Sequence, residues 1–327
     1  MKLILSTSNV LGAGSSVYRS TKNKSNAELV STLRSNFQSH YILPTNGHTN
    51  GETQHTPKPS YKTWTRRRTD EDALEVPALD IEDNGLQEER EQYDITLKLF
   101  YLPGATIKHR EQHTREAVDL VLKELRIPSV DLLIVSFPGI YFDEQEDCPD
   151  KLSTRGPVEA EPEPIDTQIT TWKVLENLHK KGMVKKLGIA EFGKDRLEML
   201  LEKTAVRPSV DQINLRDCCS VPKDLMSLAK TQGVELLVHN DCSNILPRGT
   251  VRELLGSGPE GAGVLAEPTK AGDKRKSLHD EEVKTGDAGD RLQGEVQPQW
   301  VVKYTAVVKN RGVVENKGYF AGAVLEG

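Results

Sequence analysis

The stretch DLLIVSFPG, residues 131–139, decides the reading of the fold. Leu132, Leu133, Ile134 and Val135 form an unbroken apolar run, closed by Phe137, Pro138 and Gly139. An apolar run this short, bounded by Pro and Gly, reads as a strand and not a helix. It shows no polar alternation, so both of its faces are buried. Such strands belong to parallel sheets covered by helices.

The flanks extend that reading. Before it, ITLKLF (95–100) is a strand, and TREAVDLVLKELRI (114–127) sets Ala117, Val118, Val121, Leu122 and Leu125 on one helical face, with Thr114 as N-cap. After it, TQITTWKVLENLHKKG (167–182) is a helix stopped by Gly182, and VKKLGIAEF (184–192) is a strand. The alternation continues through helix 194–205, strand 210–215, helix 222–233 and strand 234–241. TVRELL (250–255) opens with Thr250 and Glu253 at capping-box spacing, and WVVKYTAVVK (300–309) is the last strand. KLILSTSNV, NAELVSTLRSNF and ALEVPAL add a strand, a helix and a strand near the N-terminus.

Alternating strands and helices predict a parallel sheet covered by helices. No G-x-G-x-x-G turn follows a strand, which removes the main support for a dinucleotide-binding doubly wound domain. The expectation is an α/β fold of the (β/α)8 TIM-barrel type, with residues 1–327 as one domain. Segments 44–72, 143–166 and 256–298 are polar or rich in Pro and Gly, and read as solvated, disordered insertions.

Composition narrows the function classes. A net charge of −6 gives no basic footprint for nucleic acid. No apolar run is long enough for a membrane span, and MKLILSTSNV is a poor signal peptide, so the expectation is a cytoplasmic protein. The four Cys (148, 218, 219 and 242) show no C-x-x-C spacing, and one His at 239 makes no metal site.

The segment order resembles the aldo-keto reductase superfamily, visible in DLLIVSFP, WKVLENLHKKGMVKKLGIAEF, RPSVDQINL and YTAVVKN. The resemblance implies a barrel that binds NADPH, with a Tyr as proton donor, Lys and Asp tuning it, and a His orienting the carbonyl. Hydride transfer builds negative charge on oxygen, and a placed acid must meet it. Lys98 stands at the Lys position, while Ser136 stands at the His position. No Tyr has an Asp five residues before it; Glu88 and Tyr93 come nearest, just ahead of the wrong strand. These positions therefore read as a degenerate reductase site with no catalytic residue. Ala190–Glu191 replaces the Ser-Asn pair that holds the nicotinamide amide, and His239 replaces the stacking Tyr. Gln212, Lys309 and Arg311 remain as vestigial cofactor positions, so no cofactor is expected beyond weak NADPH binding.

A narrower resemblance accounts for these departures. QINLRDCCSVPKDLMSLAKTQGVELLVHNDCSNIL and WVVKYTAVVKNRGVVENKGYF are similar to the regulatory (modifier) subunits of glutamate–cysteine ligase. That resemblance implies a non-catalytic chain that forms a heterodimer with the ligase catalytic subunit and activates it in glutathione biosynthesis. Cys218, Cys219, His239, Asn240 and Asp241 follow strands, and are the candidate partner interface. The rival readings are a divergent NADPH-dependent oxidoreductase and a barrel that senses NADPH without turnover.

Overall fold

A computed structural model describes residues 1–11, 26–41, 59–79, 85–142, 161–215, 221–267 and 291–327. The chain opens with strand β1 (Lys2–Ser6) and helix α1 (Ala27–Tyr41), then strands β2 (Arg66–Arg68) and β3 (Ala73–Val76). Strand β4 (Tyr93–Tyr101) starts a regular alternation: α2 (Arg110–Leu125), β5 (Val130–Ser136), α3 (Ile165–Lys180), β6 (Val184–Ala190) and α4 (Lys194–Lys203). It continues through β7 (Val210–Asn214), α5 (Lys223–Gln232), β8 (Glu235–His239) and α6 (Arg248–Leu255), and ends in β9 (Glu295–Val308) and β10 (Val313–Glu326).

Among the described residues, all strands join one ten-stranded sheet in the order β2-β3-β1-β10-β9-β4-β5-β6-β7-β8. Strands β4 to β8 are parallel neighbours in sequence order, each joined to the next by a helix. This α/β fold resembles the (β/α)8-type barrel of the aldo-keto reductases. The seam departs from the expected all-parallel pattern. β9 runs antiparallel to both β4 and β10, so the last expected strand is one arm of a long hairpin. The second arm, VVENKGYFAGAVLE, is strand β10, which pairs antiparallel with β1.

Alternation along each strand divides the apolar residues between two faces. Leu97, Leu99, Leu133, Val135, Leu187 and Ile189 meet α2 to α5 through Val118, Val121, Trp172, Leu175, Leu197 and Leu225. On the other face Leu3, Leu5, Phe100, Val301 and Ala321 meet α1 and α6 through Leu29, Leu33, Phe37, Val251 and Leu254. Burial of these side chains contributes about 1.5–3 kcal/mol each before chain entropy is charged against it.

Three expectations are corrected. Helix α2 begins at Arg110, a turn before Thr114; the Thr114 hydroxyl donates to Arg110 O and meets Tyr101 Oη inside the protein, so it caps nothing. Helix α6 likewise begins at Arg248, ahead of Thr250. The three expected insertions are narrower than their sequence bounds. Tyr61 and Trp64 are buried beside Phe37, and β2 pairs with β3. Helix α3 starts inside the second segment, at Ile165. Ala262, Val264, Leu265 and Val296 belong to the core with α6. The remainders of these segments lie outside the described residues.

Candidate functional site

The parallel strands β4 to β8 end together at Tyr101, Ser136, Ala190, Asn214 and His239. In (β/α) barrels that end carries the chemistry, because its loops vary over a fixed scaffold. The pairing registers set Tyr319, Lys303, Lys98, Ile134, Gly188 and Val210 in one row across neighbouring strands, on a single face.

Lys98 is buried in that row. Its Nζ donates to Asp241 Oδ2 at 3.1 Å and lies 3.1 Å from His239 Nδ1. Lys303, its register partner on β9, reaches the other carboxylate oxygen, Oδ1, at 3.2 Å. The Asp241 backbone N–H donates to His239 Nδ1 at 3.0 Å. Two donors on Nδ1 make it the acceptor and leave the proton on Nε2. That atom lies 2.6 Å from Glu191 Oε1, while Glu191 Oε2 accepts the Phe142 N–H at 2.8 Å. Glu191 takes a left-handed φ of 67°, a conformation rare for a side chain with a Cβ.

The charges shift one another. Burial alone would raise the Asp241 carboxyl, but Lys98 and Lys303 hold it far below the usual carboxylate range. Burial lowers the Lys98 ammonium, against the opposing pull of Asp241 and Glu191. Asp211 is buried behind Glu191. Burial raises its carboxyl well above normal; Glu191 adds to the rise and the Phe192 N–H opposes it. The network continues across the hairpin. Lys303 Nζ lies 5.9 Å from the centre of the Tyr319 ring. Tyr319 Oη donates to Glu28 Oε1 at 2.5 Å, and Lys317 holds Glu28 Oε2 at 2.6 Å. Chemically this is a network of charged and polar groups tying β4, β9, β10, α1 and the ends of β6 and β8 together, in which Glu191 Oε1, His239 Nε2 and Asp211 Oδ2 are buried without a hydrogen bond.

The structure thus brings Lys98, Glu191, His239 and Asp241 into one cluster. Ser136 lies buried at the end of β5, level with Phe100. Gln212 lies on β7 near the same end, with its buried Oε1 unpaired. Asn240 follows β8 and is exposed. Cys218 and Cys219 lie outside the described residues. Lys309 and Arg311, the vestigial cofactor positions, are not part of the cluster. Because β9 is antiparallel, its end carries them to the opposite end of the sheet, where β4 begins. There Lys309 donates to Glu91 O at 2.8 Å, and Arg311 pairs with Glu88 and Glu315. Sequence reading missed Lys303, Glu28 and Tyr319. Lys303 carried a signal, a charge inside the apolar run WVVKYTAVV. Among the described residues no group of His, Cys, Asp or Glu is placed to hold a metal ion, and no helix is long and apolar enough to cross a membrane.

Comparison with known proteins gives the relationship. A family model described as "Aldo/keto reductase family" matches residues 72–244. The putative glutamate–cysteine ligase regulatory subunit of Schizosaccharomyces pombe is 26% identical over 237 residues, 72% of this chain and 72% of that protein. The glutamate–cysteine ligase regulatory subunit of Rattus norvegicus is 28% identical over 240 residues, 73% of this chain and 69% of that protein. Among solved structures, the aldose reductase of Schistosoma japonicum is 25% identical, with a TM-score of 0.35, covering 51% of this chain and 52% of that one.

Proposed function

The chain belongs to the aldo/keto reductase family, and from that premise we propose that it is a non-catalytic regulatory subunit. It binds the catalytic subunit of glutamate–cysteine ligase as a heterodimer and activates it in glutathione biosynthesis, in the cytoplasm. In this reading residues 1–327 are one domain. The observation that carries it is the engagement of Lys98. In a reductase this Lys serves an acidic Tyr; here its contacts go to Asp241 and His239. The hydroxyl at the substrate-orienting position, Ser136, has far too high a pKa to act as an acid near neutrality. The similarity to regulatory subunits of a yeast and a mammal over about 72% of the chain points the same way.

The residues present do not fit NADPH. Glu191 offers a carboxylate where a carboxamide oxygen needs a donor, and both its oxygens already face the Phe142 N–H and His239. Lys309 and Arg311 lie at the far end of the sheet, engaged with acidic and carbonyl oxygens.

A regulator without chemistry acts by binding one state of the enzyme more tightly than another, a difference typically of about 1–3 kcal/mol. The rim around His239, Asn240 and Asp241, with Cys218 and Cys219, is the proposed contact. The test mixes purified subunits under reducing conditions and measures ligase rate against glutamate concentration. A stable complex by gel filtration and a shifted curve are expected. An unchanged curve with saturating chain, and no complex, overturns the assignment.

A further inference from the structure

The two ring nitrogens of His239 meet opposite surroundings. Nδ1 accepts the Asp241 backbone N–H at 3.0 Å and faces Lys98 Nζ at 3.1 Å. An imidazole nitrogen without a hydrogen offers one lone pair in the ring plane, so a proton on Nδ1 would take the place that both donors share. Nε2 lies 2.6 Å from Glu191 Oε1, yet both atoms are buried without a hydrogen bond of good geometry. Donors therefore converge on one side of the ring, and an unsatisfied carboxylate oxygen waits on the other.

The neighbouring charges are divided in the same way. Among the described residues those facing the ring are Lys98 on β4, Glu191 after β6, and Asp241 after β8, whose Oδ2 lies 3.8 Å from Nδ1. Lys303 on β9 holds Asp241 Oδ1, with Tyr319 on β10 and Glu28 on α1 beyond it. Asp211 on β7 stands behind Glu191. Past the cluster the chain is anchored, because Cys242, Ile245 and Leu246 are buried in the core with α6. A change at His239 is thus confined to the corner at Asn240 and Asp241, of which Asn240 is exposed.

We propose that His239 is a proton-operated latch on this corner. Neutral, it holds the corner closed by accepting the Asp241 N–H. When Nδ1 takes a proton from solvent, that N–H and Lys98 must leave it. The new Nδ1–H then turns to the Asp241 carboxylate and the Nε2–H to Glu191, so the corner is held through a side chain and no longer through its backbone. The two carboxylates favour the protonated state, and Lys98 and Lys303 favour the closed one. The device belongs to the chain alone and does not depend on the ligase reading.

The test is NMR of the isolated full chain, with nitrogen-15 in the histidine rings and backbone amides, from about pH 8 to about pH 5. At the alkaline end His239 is expected as the Nε2–H tautomer. As pH falls Nδ1 should gain its proton, and the Asp241 amide should shift and exchange faster with the same midpoint, while the amides of β4 and β5 stay as they were. Glu191→Gln removes the anion beside Nε2 and should lower that shared midpoint by about one pH unit. Lys98→Met removes the cation beside Nδ1 and should raise it; if that variant does not fold, Glu191→Gln alone decides. A His239 that protonates with no change at the Asp241 amide overturns the proposal. So does one that stays neutral until the β4 and β5 amides are lost, or a shared midpoint that Glu191→Gln leaves in place.

Discussion

Lys98 Nζ and Asp241 Oδ2 stand 3.1 Å apart, and the pair joins the middle of strand β4 to the loop that follows strand β8. Lys98 is buried, so its charge has little water to fall back on. Removing one partner leaves an unpaired buried charge, which typically costs about 3–5 kcal/mol. Asp241→Asn is therefore expected to lower unfolding free energy by about that amount in urea titration. Lys98→Met combined with Asp241→Asn should recover part of the loss, because no charge is then stranded. A double-variant loss equal to the sum of the two single-variant losses would show the two residues to be energetically independent.

Two groups predict how stability depends on pH, and both have folded pKa values lowered. His113 is held at about 4, first by burial and then by His109, Lys2 and Arg110. A group with a depressed folded pKa contributes fully above its unfolded value, about 6.5 for His, and loses that contribution as pH falls toward the folded value. Stability should thus decline between about pH 6.5 and about pH 4. His113→Gln should flatten that part of the profile. Asp241, also depressed, should add a second decline below its unfolded value of about 3.9. Thermal midpoints read across a pH series check both; a profile unchanged by His113→Gln would remove His113 as a cause.

Strands β4 to β8 and their helices were legible because continuous apolar runs and 3.6-residue periodicity are local signals. Leu133, Val135, Trp172 and Leu197 all fall in the core that those signals imply. The seam was less legible. Strand direction is not written in a run such as WVVKYTAVV, so β9 read as a parallel strand. Strand β10 contains Gly318 and Gly322, which weaken a strand reading until the contacts that require them are seen. At the candidate site, positions matched to a known pattern picked out Lys98, Glu191 and His239. Lys303 and Glu28 come from far ends of the chain and meet Asp241 and Tyr319 only through the fold, which no local window shows.

Gly322 supplies a third prediction. Its register partner across the hairpin is Trp300, whose indole lies flat over it: a Cβ on Gly322 would stand 2.3 Å from Nε1 and 2.4 Å from Cε2. Trp300 is buried, so the ring has no free space into which to retreat. Gly322→Ala should destabilise by about 1–3 kcal/mol through overpacking. The companion change Trp300→Leu should reduce that penalty by opening space above the new methyl. Denaturant midpoints for the two single variants and the double variant decide it, and a Gly322→Ala protein as stable as the parent would show that the hairpin can shift.

Arg110 supplies the fourth. It is the first residue of α2 and is fully buried, with its guanidinium 5.1 Å from the centre of the Tyr101 ring and 5.6 Å from that of Phe137. The same group pairs with Glu163, just ahead of α3, and reaches Thr171 Oγ1 at 3.4 Å. One planar cation thus fills three roles: it stacks on aromatics, closes an ion pair, and joins two helices at the strand-end rim. A lysine would keep the charge but neither the flat stacking surface nor the forked donors. Arg110→Lys is therefore expected to behave as a damaging substitution, costing about 2–3 kcal/mol. Glu163→Gln should cost less than Arg110→Lys, because the aromatic stack survives it. The check is a urea unfolding series on both variants. If Arg110→Lys matches the parent protein, charge alone holds this corner and the stacking contributes nothing measurable.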